Sequence, residues 1–128
     1  VILVDTSIWA EFFRKNSRVT IPKEMISNLA ICPPVLQEVL QGIKEDAVYE
    51  RIKIALLNFK ILGAEMPIQY HLAAAEIYRS CRRRGVTIRS SADFLIAAIA
   101  LQEKAQVWHQ GRDFEKIAKF TELKLFNV

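Results

Sequence analysis

The run Val1-Ile-Leu-Val4 leads directly into Asp5, Thr6 and Ser7. Consecutive apolar residues, most of them β-branched, leave no polar face. This is the pattern of a strand buried on both sides, as in a parallel sheet covered by helices. Parallel neighbours need long crossover connections, usually helical, so the rest of the chain should alternate helices with further short strands. A carboxylate placed straight after such a strand lies at the carboxyl end of the sheet, where open α/β folds bind their ligands.

The chain follows that rhythm. Ser7 suits the cap of a helix, and Ile8, Trp9, Phe12 and Phe13 fall on one stripe at helical spacing. Residues 17–27 carry Pro22 and read as a loop followed by a short helix. Leu29 to Cys32 reads as a second buried strand, stopped by Pro33 and Pro34, which suit a helix's first turn. The apolar face of the next helix runs Val35, Leu36, Val39, Leu40, Ile43. Asp46 can cap a third helix over residues 47–58, and residues 60–66 read as a connector. Pro67 opens a helix over 68–83, with Leu72, Ala75 and Tyr78 expected inward and Gly85 at its end. The segment RSSADFLIAAIALQEK is the most helical in the chain, capped by Ser90 or Ser91. Residues 105–108 and 123–126 read as two more strands, the last alternating and therefore at an edge. A short helix over 114–119 lies between them.

Composition narrows the class. The 128 residues are 52% hydrophobic and 25% charged, which suits one folded domain spanning 1–128 and excludes a disordered or fibrous chain. No apolar run approaches the ~18–20 residues of a membrane span. VILV is too short for a signal sequence and lacks a basic flank and cleavage site, so the expected location is cytoplasmic. Cys32 and Cys81 form no CxxC pair and are expected reduced and structural. A net charge of +4 permits an acidic partner such as nucleic acid without requiring one.

Three further carboxylates occupy positions comparable to Asp5. Glu38 lies in the helix after the second strand, Asp93 in the first turn after RSS, and Asp113 just after the third strand. Each has a plain structural use: Asp93 complements a helix dipole, Asp113 can cap, and Glu38 can be a solvated charge. Together they pose a problem, because two like charges about 4 Å apart repel by ~4 kcal/mol at an effective dielectric of about 20. Protons or hard cations relieve such a cluster. Acidic clusters beside arginines suggest metal-assisted phosphodiester cleavage, with Thr6 and Ser7 orienting Asp5. A covalently loaded Asp5, as in a phosphoacceptor domain, would leave Glu38 and Asp93 without a purpose.

VILVDTSIWAEFF, PPVLQEVLQGI, RRRGVTIRSSADFLIAAIA and HQGRDFEKIA, in this order, closely resemble the PIN-domain ribonucleases. Within them they resemble the VapC toxins of prokaryotic toxin–antitoxin modules, over almost the whole chain. The resemblance implies a three-layer α/β/α domain with a central, mainly parallel sheet. It implies an endoribonuclease that uses Mg²⁺ or Mn²⁺ and a metal-activated water to cut structured RNA, notably tRNA. The family's acids match Asp5, Glu38 and Asp93, with Asp113 in the fourth role. Asp5, Asp93 and Asp113 would hold metal, and Glu38 would ligate a second ion or accept the water's proton. Ser7 matches the hydroxyl beside the first acid, with Thr6 in support. Relatives commonly read Asp-Arg-Asp-Phe where this chain reads Gly111-Arg112-Asp113-Phe114, so Gly111 replaces a frequent ligand or support.

The same resemblance makes Arg82, Arg83, Arg84, Arg89 and Arg112 candidates for RNA phosphates. It implies a VapB-like antitoxin covering the site, with Trp9 and Phe13 as candidate contacts, and a homodimer. The rival reading is a catalytically degenerate PIN-fold module that binds RNA or antitoxin, for which Gly111 is the reason.

Overall fold

The computed structural model describes residues 1–14 and 16–127. Its centre is a parallel sheet of five strands: β1 (Ile2–Val4), β2 (Leu29–Ile31), β3 (Lys60–Ile61), β4 (Gln106–Trp108) and β5 (Lys124–Leu125). Their order is β3-β2-β1-β4-β5. Ile2 lies opposite Leu29 on one side and Gln106 on the other, so β1 is central. Its three residues, like those of β2, are wholly buried, as the unbroken apolar runs require. β5 is an edge strand, as its alternation predicts.

The helices are α1 (Thr6–Phe12), α2 (Pro33–Gln41), α3 (Asp46–Leu57), α4 (Ile68–Arg83), α5 (Ser91–Gln102) and α6 (Asp113–Ala118), with a 3₁₀ turn at Lys23–Asn28. The sheet first grows one way, from β1 to β3, then resumes on the other side of β1 with β4 and β5. With the right-handed crossovers that parallel strands follow as a rule, this order assigns α1–α3 to one face and α4–α6 to the other, consistent with an α/β/α arrangement. The reversal falls between β1 and β4. In such sheets the carboxyl ends of the two strands at the reversal flank an open crevice.

Several local expectations are corrected. Asp5, not Ser7, caps α1: its backbone is extended (φ −75°, ψ 160°) and its carboxylate accepts from the Ser7 amide. The chain therefore turns from strand to helix at the acid itself. Glu45, not Asp46, occupies the cap position of α3, and Asp46 joins its first turn. Residues 60–61, expected within a connector, form β3, a strand too short to show a period. On α4 the expected inward set faces out: Leu72 is 61% and Tyr78 44% exposed, and Ala75 is exposed too. The packed side carries Tyr70, Ala73, Ala74, Ile77 and Cys81. α4 has two apolar stripes, and the one with small residues fits against α5, which it contacts extensively.

α5 buries Phe94 and every residue from Ile96 to Ala100. A helix apolar all round is a core helix, here held between α4 and the sheet. Its Ser90 cap position and first turn emerge at the carboxyl end of the strands. Among the described residues, no helix is long and apolar enough to cross a membrane.

Candidate active site at the carboxyl end of the sheet

The crevice between β1 and β4 contains a cavity of about 510 Å³, lined by Asp5, Asp93 and Asp113 together with Arg89, Gln110, Gly111, Arg112, Phe114 and Lys116. Asp5 follows β1 directly and is buried (7% exposed), and its amide continues the ladder to the Trp108 carbonyl at 2.9 Å. Ser7 fastens it. The Ser7 hydroxyl donates to Asp5 Oδ2 at 2.7 Å and accepts from the Gln110 amide at 3.1 Å. One hydroxyl thus ties the start of α1 to the loop after β4 across the crevice.

Thr6 does something else. It does not support Asp5, as the sequence suggests; its Oγ1 donates to Glu38 Oε1 at 3.0 Å. Glu38 does not line the cavity. It stands beside it, in a recess of about 270 Å³ walled by Ala10, Phe13, Val39, Ile43, Val48 and Ile52 among others. Its charge still reaches Asp93. Burial, then the charges of Asp5, Asp113 and Glu38, push the Asp93 carboxyl up from 3.8 to about 7. Among the described residues no hydrogen-bond donor or cation reaches that carboxylate. Asp113 opens α6 and lies 3.7 Å from Lys116 Nζ, one turn on.

Gly111 has φ +92° and open space where a Cβ would stand. That conformation favours glycine over any side chain, so the departure from an acid has a backbone reason. The arginines separate into groups. Arg89 and Arg112 line the cavity. Arg82 and Arg83 line a different recess with Tyr78 and Arg79, and Arg84 lies over the Phe120 ring. Lys116 and Gln110 join the cavity unforeseen; the three-residue step from Asp113 on one helix face was the available signal for Lys116.

Trp9 cannot contact a partner: it is fully buried, packed against Phe12, Phe13 and Phe59. Phe13 is half-buried and open to the Glu38 recess. His109 rests on Phe114 outside the cavity lining, and His71 is exposed on α4. Both cysteines are free and buried, and burial, reinforced by Asp5 and Glu38, pushes the Cys32 thiol up to about 12, leaving it inert at neutral pH.

Among the described residues, no three acidic, histidine or cysteine groups converge into a closed ligand cage. The donor set nonetheless fits a hard divalent cation. Carboxylates line an open, polar cavity, their repulsion is visible at Asp93, and Mg²⁺ usually keeps several waters beside one or two carboxylates and a substrate phosphate.

Residues 2–120 match the PIN domain family. Ribonuclease VapC11 of Mycobacterium tuberculosis is 35% identical over 130 residues, covering 97% of this chain and 96% of its own. Among solved structures, the chain is similar to VapBC2 from Rickettsia felis, bound to a DNA fragment from its promoter, with a TM-score of 0.77, 20% identity and 99% and 98% of the chains covered. VapBC-1 from nontypeable Haemophilus influenzae gives a TM-score of 0.73 at 16% identity over 98% and 96%.

Proposed function

The chain belongs to the PIN-domain family, among the VapC ribonucleases, and on that premise we propose that it is a metal-dependent endoribonuclease toxin cutting a structured RNA, with tRNA as the first candidate. The observation that carries the reading is the meeting of Asp5, Asp93 and Asp113 in one cavity at the sheet reversal, with the Asp93 carboxyl pushed up to about 7 by burial first and then by its acidic neighbours.

Asp5, Asp93 and Asp113 would hold Mg²⁺ or Mn²⁺. When bound, the cation offsets the carboxylate charge and lets water attack a phosphodiester at neutral pH. The protein's own part is positioning. Ser7 fixes Asp5 and the Gln110 loop. Thr6 fixes Glu38, which stands beside the cavity as acceptor of the water's proton. Arg89, Arg112 and Lys116 supply positive charge to the phosphate oxygens within a cavity otherwise rich in acid.

A VapB-like antitoxin is the proposed protein partner, supported by the VapBC complexes among the structural neighbours. The apolar recess at Phe13, Val39, Ile43 and Val48 would take its anchor residues. The reading also carries homodimerisation, for which Ile68, Leu72 and Tyr78 offer an exposed apolar surface along α4, and action in the cytoplasm, where its RNA substrate is.

The test is incubation of the chain, freed of antitoxin, with total tRNA and with ribosomal RNA, with and without Mn²⁺ or Mg²⁺, beside Asp5→Ala. Discrete fragments that require both the metal and Asp5 are expected. Absence of both cleavage and metal binding would overturn the reading in favour of a binding module.

A further inference from the structure

A second recess, of about 410 Å³, is lined by Gly85, Val86, Thr87, Lys116, Lys119 and Phe120. Lys116 lines this recess and the acidic cavity alike. Its ammonium is fixed between them, donating to the Thr87 carbonyl at 3.3 Å and lying 3.7 Å from Asp113. Asp113, Lys116 and Phe120 recur at steps of three and four, so they share one side of α6 and the turn that continues it. That side extends roughly 10 Å from the cavity.

The recess has the opposite chemistry to the cavity. Phe120 is half-buried, and the Arg84 guanidinium lies over its ring at 4.8 Å from the centroid. Arg84 is held there by a 2.7 Å bond to Ser80 Oγ. Lys116 and Lys119 add two more cations, and no carboxylate is among the lining residues. A planar apolar surface with cations around it is what an unpaired nucleotide needs. Its base stacks on an aromatic ring or a guanidinium plane, and its phosphates meet lysines. By contrast, the recess at Tyr78, Arg79, Arg82 and Arg83 shares no lining residue with the cavity.

We propose that the Lys116–Lys119–Phe120 recess is a subsite for a single-stranded nucleotide adjoining the phosphate that is cut. The base lies against Phe120 and Arg84, and its phosphate on Lys116 and Lys119. The proposal rests on the nuclease reading and gives the RNA a direction: along α6 toward Arg84, rather than into the separate recess lined by Arg79, Arg82 and Arg83.

The experiment measures binding of a fluorescein-labelled oligouridylate to the full chain by anisotropy, without divalent metal, across a salt series. Metal-dependent tRNA cleavage by the same preparations is followed in parallel. Phe120→Leu and Lys119→Gln should each weaken binding about five- to tenfold. Lys119→Gln should also lower the salt slope by about one. Arg79→Gln, in the separate recess, should change neither. Thermal melts establish that each variant is folded, and the exposed Lys119 serves if Phe120→Leu is not. Wild-type cleavage with undiminished RNA binding by both variants would overturn the subsite and leave the nuclease standing. A wild-type chain that neither binds nor cleaves RNA would overturn the nuclease reading, and the subsite with it.

Discussion

The N-terminal ends of α1 and α5 present a carboxylate to the same cavity, yet they treat it in opposite ways. Asp5 is the more buried, but it is satisfied: it caps α1 and accepts both the amide and the hydroxyl of Ser7. Asp93 has no such support, and burial with three acidic neighbours raises it to about 7. A charge that is hydrogen-bonded into the backbone costs little to keep, whereas one that is merely desolvated stays costly until a proton or cation arrives. The site thus pairs a rigid acid with an acid kept in need of a counter-charge.

The sharpest way to break the contrast is to remove each acid. Asp5→Ala and Asp93→Ala should each lower metal-dependent cleavage at least about a hundredfold, but move stability in opposite directions. Asp5→Ala loses a helix cap, worth about 1 kcal/mol, whereas Asp93→Ala relieves repulsion and should leave the metal-free chain as stable or more so. Cleavage assays with urea melts on both variants decide it. If Asp93→Ala unfolds the chain instead, its helix-terminal role is the main one and the contrast fails.

Next in size is the clamp that makes Asp5 rigid. Ser7→Ala removes its hydroxyl donor and frees the Gln110 amide, so Mn²⁺ affinity should fall about 10- to 100-fold, read by metal titration of activity or by calorimetry. Thr6→Val keeps the shape of α1 and releases only Glu38. Cleavage should fall several-fold with Mn²⁺ affinity unchanged, because Glu38 stands outside the cavity lining. A Thr6→Val defect cured by excess Mn²⁺ would make Glu38 a ligand rather than a proton acceptor.

How legible these features were depends on how local their causes are. VILV and Leu29-Ala-Ile-Cys32 declare buried parallel strands because no polar residue interrupts them, and Asp5 follows from the first of these by position alone. Asp93 and Asp113 are legible in the same way, since each lies in the first turn of a helix after a readable element. The choice of Asp5 over Ser7 as cap is not local: both residue types cap well, and the Gln110 amide, 103 residues away in sequence, claims the Ser7 hydroxyl. The Thr6–Glu38 bond spans 32 residues and leaves no mark in either segment. α4 misleads because two stripes share one helix and only its packing on α5 selects between them. Trp9 misleads because burial and exposure look alike on an apolar stripe until Phe59 closes over it.

The smallest effect sharpens the comparison most directly, because it reads Asp93 without any substrate. A carboxyl whose folded pKa is raised stabilises the folded state most below its unfolded value, here 3.8, and that contribution is lost as pH rises through about 7. The metal-free chain should therefore melt a few degrees lower at about pH 8 than at about pH 5 on account of this group. Asp93→Asn should remove that part of the slope, so the difference between the two melting profiles isolates it from every other titration. Mg²⁺ or Mn²⁺ should restore the wild-type melting temperature at the higher pH, in proportion to the logarithm of metal concentration above its dissociation constant, and should do little below about pH 5, where the proton already holds the place. If wild type and Asp93→Asn lose stability in parallel as pH rises, Asp93 is not the strained member of the cluster, and the two helix ends differ only in their hydrogen bonds.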